Sequence, residues 1–330
     1  MRNYIIRRLL LTIPTLLIVS IVIFLLIRLI PGSAVDAIIG TMEAFTGTKL
    51  VVDRVAVEQA LGLDQPFLIQ YGRWIGVVPQ ADGGFSGILQ ANFGDSIWGS
   101  SSVLEEIAAR WPVTLELGIL GLIVAQLIAL PIGIFSALRQ DTWGDYIGRS
   151  FAYACIAIPG FWLATLVIVF PSSWWGISPS LEVISLFKDP IGNLAMFIIP
   201  SIVLGMAMAG HTMRMTRTMM LEVLRQDYIR TAWAKGLTER VVVLRHAVKN
   251  ALIPVVTIIG LQFAVVIGAA VVIEQIFCLP GLGRYLLVSI EHRDYVALAG
   301  INLFVATGVL FINLIIDISY AYLDPRVQYK

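Results

Sequence analysis

Charge is absent from six long stretches of this chain and crowded into the segments between them. Leu9–Ile27 carries no Asp, Glu, Lys or Arg for 19 residues, Leu117–Leu138 for 22 and Phe151–Leu181 for 31. Ile191–Met213 follows with 23, Ala251–Ile273 with 23 and Tyr295–Ile316 with 22. About 20 apolar residues suffice for a helix to cross a bilayer, so each stretch is long enough. A backbone in lipid must satisfy its own hydrogen bonds, which predicts helices. Pro171 and Pro179 interrupt the third stretch, and its helix is expected to end near Phe170. The pattern predicts an all-α integral membrane protein with six transmembrane helices.

Two intervening segments stand out. Residues 31–111 are mostly acidic and form an extracytoplasmic insertion between the first two helices. Within it, Val52–Leu61 reads as a helix closed by Gly62, and "QADGGFSG" as an exposed loop. So long a connector either packs as a cap or stays solvated. The second segment, 214–250, is basic. Its "RTMMLEVLRQDYIRTAWAKG" reads as one helix continuing from the fourth span and stopping at Gly236, a residue that takes the left-handed conformation cheaply. Thr238 is placed to N-cap the next helix, which Pro254 would break or kink. On that helix Val241, Leu244, Val248, Ala251 and Leu252 share one apolar face, flanked by Arg245 and Lys249 with His246 and Asn250 further round. Three uses fit such a segment. It lies on anionic lipid, or it is a solvated loop whose charges fix topology, or it docks a cytoplasmic protein, with small Ala232, Ala234 and Gly236 allowing close approach.

The 330 residues are 58% hydrophobic and 14% charged, with mean hydropathy +0.85, against about 25% charge in ordinary globular domains. The cations are polarised. If the N-terminus is cytoplasmic, the inner segments hold Arg2, Arg7, Arg8, Arg139, Arg149, Arg214, Arg217, Arg225, Arg230, Lys235, Arg240, Arg245, Lys249, Arg326 and Lys330, and the longer outer segments hold only the remaining eight of the 23 Lys and Arg. The positive-inside rule then puts both termini in the cytoplasm. The net charge of +1 hides this asymmetry and gives no reason to expect nucleic acid. Arg2, Arg7 and Arg8 also suit a secretory signal, but the apolar stretch exceeds the usual ~7–15 residues and no A-x-A site comes after it, so residues 1–30 read as a retained signal-anchor helix.

Motifs for chemistry are missing. There is no G-x-x-x-x-G-K-[ST], since "TGTKL" (Thr46–Leu50) lacks the earlier glycine, and neither H-E-x-x-H nor G-x-S-x-G occurs. His211, His246 and His292 share no ligand spacing, and His246 reads as a helix-flank hydrogen-bonding residue. Cys155 and Cys278 read as packing residues. No catalytic residue and no metal site is expected. Glu116, Gln126, Gln262, Glu274, Asn313 and Asp317 are candidates for a polar pathway, because ionisable groups in lipid are costly and face the bundle or water. Glu116, Glu274 and Asp317 lie near span ends, where a carboxylate with a local partner fits equally; Glu274 reads as a structural contact under the last outer loop. No residue is assigned to substrate.

The basic segment resembles the cytoplasmic loop of ATP-binding-cassette importer permeases, and in detail that of the dipeptide/oligopeptide/nickel branch, D-Y-x-R-T-A-x-A-K-G-L…H-A-x-x-N-A-L-I-P. Asp227, Tyr228, Arg230, Thr231, Ala232, Ala234, Lys235, Gly236, Leu237, His246, Ala247, Asn250, Ala251, Leu252, Ile253 and Pro254 all match, with Arg230 where the general loop pattern has Glu. "RRLLLTIPTLL", "IRLIPG", "LGLDQPFLIQYGRW", "NFGDS", "RWPVTLEL", "RMTRTMMLEVL", "IEQIFCLPGLG", "RDY" and "NLIIDISYAYLDPR" keep the family's order along nearly the whole chain. The "PQADGGFSGI" stretch and the few glycines of the fifth span depart from it.

The resemblance implies a permease core of five helices in 112–330 and a bacterial-type cytoplasmic (inner) membrane location. It implies no cofactor in this chain, with ATP and Mg on two cytoplasmic ATPase subunits, and as further partners a second related permease and an extracytoplasmic substrate-binding protein. Arg230, Thr231, Ala232, Ala234, Lys235, Gly236 and Leu237 would form the ATPase-coupling loop, with His246, Asn250 and Pro254 where the chain returns to the membrane. The rival is a secondary transporter complete in one chain, which would favour internal repeats and midplane charges. Pro14, Pro131, Pro159 and Pro200 interrupt apolar runs, but no paired halves are visible.

Overall fold

The computed structural model describes residues 2–29, 64–96, 101–176 and 184–323, and every regular element among them is helical. The helices are α1 (Arg2–Leu29), α2 (Phe67–Ile75), α3 (Val103–Leu138), α4 (Trp143–Ala157), α5 (Gly160–Trp175), α6 (Pro190–Leu224) and α7 (Asp227–Ala234), then α8 (Glu239–Ile276), α9 (Leu282–Glu291) and α10 (Tyr295–Leu323). Ile6–Leu29 of α1, all of α3, α6 and α8, and Tyr295–Ile318 of α10 are long and apolar enough to cross a membrane. The expected helix at Val52–Leu61 lies outside the described residues.

The third apolar stretch is not one straight span. It is the pair α4 and α5, bent by 93° at Ile158 and Pro159. Proline lacks the amide that would continue the ladder, and it pushes the residue before it out of helical geometry. Ile158 is accordingly extended (φ −80°, ψ 120°). Pro171, by contrast, sits inside α5 without ending it; the helix runs to Trp175 rather than stopping near Phe170.

Two compact units result. The first is built on Val113–Arg284. Here α6 packs against α4, α5 and α8, and the core includes Leu117, Ala152, Cys155, Phe197, Met213 and Val266. Small residues let the backbones close up, as is usual between helices in lipid. A Cβ on Gly205 of α6 would come 2.6 Å from the Gly121 carbonyl of α3, and one on Gly210 would come 2.7 Å from the Ala152 carbonyl of α4. Glu274, fully buried, organises the end of α8. Its carboxylate accepts from Thr114 Oγ1 (2.6 Å) and from the amides of Gly283 and Arg284 (3.1 Å for the latter), while Leu282 N donates to Thr114 Oγ1 (2.8 Å). These three amides are the donors that open α9, and a helix start inside the protein must give such donors to something. Gly281 and Gly283 leave the room, since a Cβ on either would strike this carboxylate. The expected structural contact at Glu274 is thus a helix cap supplied from another helix.

The second unit comprises Ile5–Pro112 and Tyr285–Leu310. Phe24 of α1 meets Phe67, Tyr71 and Trp74 of α2 at ring separations of 5.2–5.4 Å, and Ser20 Oγ hydrogen-bonds Tyr71 OH (2.7 Å). The "QADGGFSG" stretch is an exposed turn closed by Gln80 N donating to the Gly84 carbonyl (2.8 Å). The "NFGDS" and "RDY" segments meet here. Ser96 Oγ donates to Asp294 (2.5 Å), whose other oxygen caps α10 by accepting from Ala297 N (3.0 Å). Arg110 pairs with Glu106 and lies over the Tyr285 ring, 4.8 Å from its centroid. Burial pushes the Tyr285 hydroxyl up to about 12, and Asp294 and Glu106 add to the shift.

Glu274→Ala should remove about 2–3 kcal/mol by stranding the Thr114 hydroxyl and the α9 amides. Thermal unfolding of the detergent-purified protein measures it, with Glu274→Gln losing less.

Candidate functional site: the basic segment between α6 and α8

The chain does not run as one helix from the fourth span to Gly236. α6 ends at Leu224, Gln226 is extended (φ −73°, ψ 147°), and a separate eight-residue helix, α7, begins at Asp227. The break turns α7 so that Ile229 (0% exposed) and Ala232 (6%) face inward onto Met220, Val242, Val243 and Ala247. Ala232 is therefore part of the core and no free docking surface, a correction to the expectation for that residue. Leu237, partly buried, packs against the same cluster.

The opposite face is open. Arg230, Thr231, Ala234, Lys235 and Gly236 are exposed, and so are the aromatic rings of Tyr228 and Trp233, which sequence reasoning had not singled out as contact residues. Gly236 does end the segment as expected, with φ +76°. A Cβ there would touch nothing within 4 Å, so the left-handed backbone alone demands glycine. The Arg230–Asp227 pair (3.3 Å) is fully in the open and contributes little.

Beyond Gly236, Thr238 occupies the N-cap position, but its hydroxyl makes no cap bond; its carbonyl accepts from Val241 N and Val242 N (3.0 Å each). The helix then winds as a π-helix over Val242–Val248. The expected apolar face holds only in part: Ala251 is buried and Val248 packs against the same cluster. Val241 and Leu244 are exposed, and the buried side chains are Val242, Val243, Ala247 and Ala251. A π turn takes in an extra residue, which rotates later side chains relative to α-helical register. Pro254 neither breaks nor ends α8, which continues to Ile276; the departure from α geometry comes earlier, in the π segment.

Asn250 joins the two halves. Its Nδ2 donates to Tyr228 OH (3.1 Å) on α7 and to the His246 carbonyl (2.8 Å), so His246 takes part through its backbone. A second fastening was invisible in the sequence. Arg217 of α6 forms a two-armed ion pair with Asp145 of α4 (Nε–Oδ1 and Nη2–Oδ2, both 2.7 Å). Asp145 is fully buried and also accepts from Ser136 Oγ and from Asp141 N (3.1 Å). Asp145 and Arg217 each stand among other charged residues near an end of their helices, Arg149 on α4 and Arg214 and Glu222 on α6, so nothing in the sequence marks them as partners. The apolar cluster and the Asn250–Tyr228 bond hold α7 from within and leave its outer face exposed, while the Asp145–Arg217 pair ties α4 to α6. No group of side chains able to hold a metal ion occurs among the described residues.

Comparison with known proteins places the chain among transport permeases. The family described as binding-protein-dependent transport system inner membrane component matches residues 129–329, and the corresponding N-terminal family matches residues 1–118. The "Putative peptide transport system permease protein" of Brucella abortus (strain 2308) is 39% identical over 329 residues, covering 100% of both chains. The glutathione transport system permease protein of Salmonella typhi is 38% identical over 330 residues, again covering 100% of both. A crystal structure of an amino acid ABC transporter with histidines matches 66% of this chain and 94% of its own with a TM-score of 0.51; at 14% identity it shows the fold alone.

Arg217→Ala strands a buried carboxylate and should cost about 3–5 kcal/mol. Combining Arg217→Gln with Asp145→Asn should recover part of the loss, measured by thermal unfolding of the four proteins in detergent.

Proposed function

The chain belongs to the family of binding-protein-dependent transport system inner membrane components, and on that premise we propose that this ATP-binding-cassette importer permease carries peptides. Relatives matched over their full length are named for peptide and glutathione transport, and glutathione is itself a peptide. The chain would form half of the translocation pathway beside a second, related permease, receiving its cargo from an extracytoplasmic binding protein. Two cytoplasmic ATPases would bind ATP and Mg, consistent with the missing nucleotide motif in this chain. Residues 31–111 would be extracytoplasmic, and both termini and the 214–250 segment cytoplasmic, as the cation distribution favours.

The observation that carries the coupling role is the two-sidedness of α7. Its inner face is packed at Ile229 and Ala232 and tied through Tyr228 to Asn250; its outer face offers Trp233, Ala234, Lys235 and Gly236. A push on the outer face reaches α8 through those inner contacts. ATP and cargo drive each other only if they prefer different arrangements of the bundle, and such a linkage transmits the preference.

Ala234→Glu together with Gly236→Arg should abolish copurification of the ATPases and ATP-driven uptake of a tripeptide by proteoliposomes. Retained ATPases, or uptake without ATP, would sink the coupling role. Orientation is checked separately: with Cys155 and Cys278 replaced by Ser, a cysteine at Gly83 should react with an impermeant maleimide in intact cells, and one at Lys235 only after lysis.

A further inference from the structure

Glu116 has no part in the fastenings described above. Thr114, two residues earlier on α3, is committed to Glu274 and Leu282. Glu116 leaves the helix in another direction and faces the Asn193 amide, in the first turn of α6. Asn193 is 1% exposed, and its Nδ2 donates to the Ile184 carbonyl (2.8 Å). Its Oδ1 is buried without a partner, and so is Oε1 of Glu116. Among the described residues no cation pairs with this carboxylate.

Two neighbouring side chains therefore each keep an acceptor oxygen with no donor. Each buried, unsatisfied polar group costs about 1–3 kcal/mol, and a carboxylate without a cation in an apolar span costs more. The two fully buried carboxylates of the same unit are, by contrast, met by donors. Glu274 has a hydroxyl and two helix amides, and Asp145 has a guanidinium, a hydroxyl and an amide. The Glu116–Asn193 pair stands at the edge of the apolar bundle. Glu116 immediately precedes the uncharged run Leu117–Leu138, and Asn193 lies at the start of α6, 31 residues before Leu224 and so at the end away from α7.

The missing complement is a compact cation carrying several N–H donors and no acceptor, which describes a primary ammonium with its three donors. We propose that Glu116 and Asn193 form a binding site for the α-ammonium of a peptide as it enters the bundle. The proposal rests on the peptide reading above. A free peptide amino group is largely protonated at neutral pH. Glu116 would supply the counter-charge and Asn193 Oδ1 a second, directional acceptor.

The test uses the assembled transporter, purified in detergent without its binding protein and titrated calorimetrically at pH 7. The probes are trialanine and N-acetyl-trialanine. Acetylation should weaken binding to the wild type by about tenfold or more, the loss of one charge-assisted contact. Glu116→Gln should weaken trialanine to the same extent, and acetylation should then cost nothing further. The variant keeps the side chain's shape and offers Asn193 Oδ1 an N–H, so a carboxyl with a purely structural role would leave trialanine binding unchanged, and that result overturns the site. Equal affinity of the wild type for both probes overturns it too, without touching the peptide reading, and needs no variant that folds. A wild type that binds neither probe also removes the site. If proteoliposomes supplied with the binding protein then fail to take up trialanine as well, the peptide reading falls with it.

Discussion

A chain this apolar has little water to fall back on, so a polar group among its helices is costly unless protein meets it. That constraint shapes the first unit at both ends. Near one end Glu274 takes up the opening amides of α9, and near the other Asp145 and Arg217 neutralise each other across α4 and α6. Between them Gln262 Nε2 donates to the Met208 carbonyl (3.1 Å) and bridges to Thr212 (3.1 Å). Hydrophobic burial discriminates poorly between helix arrangements in lipid, because lipid tails are as apolar as leucine. Polar pairing and close glycine contacts are directional, and they select the one arrangement seen here.

The same logic divides α7 into a committed face and a free one. Ile229 and Ala232 are spent on the core, while Tyr228 serves both sides, its ring partly open and its hydroxyl bound to Asn250. The proposed coupling role needs this combination. A helix exposed all round would tilt under load, and one buried all round could receive none.

Much of this was legible in the sequence because the bilayer imposes a length rule. The uncharged windows located the membrane-crossing helices, and the left-handed preference of glycine located the end of the segment at Gly236. What failed were local decisions between nearly equal geometries. Pro159 interrupts the apolar window over 151–181, but so do prolines in runs that stay helical, such as Pro14 and Pro200, and it was not read as the point where the window folds into two helices. The face of α8 was assigned on an α period, and the π segment placed Val242, Val243 and Ala247 inward instead. Ala232 looked like a surface contact by size, yet a small side chain is equally suited to a tight core. The Asp145–Arg217 pair joins residues 72 positions apart, and periodicity carries no information about partners at that distance.

The π segment makes α8 a helix with one residue in reserve. Rewinding Val242–Val248 as an α-helix would pass that residue along the axis, advancing the remainder of α8 by about 1.5 Å and rotating it by about 100°. α7 is tied to Asn250 just past this segment, so under the proposed coupling role motion at the loop would be delivered where α8 is least tightly wound. The element would then act as a screw thread more than a rod, converting a small axial displacement into rotation of the span beyond it.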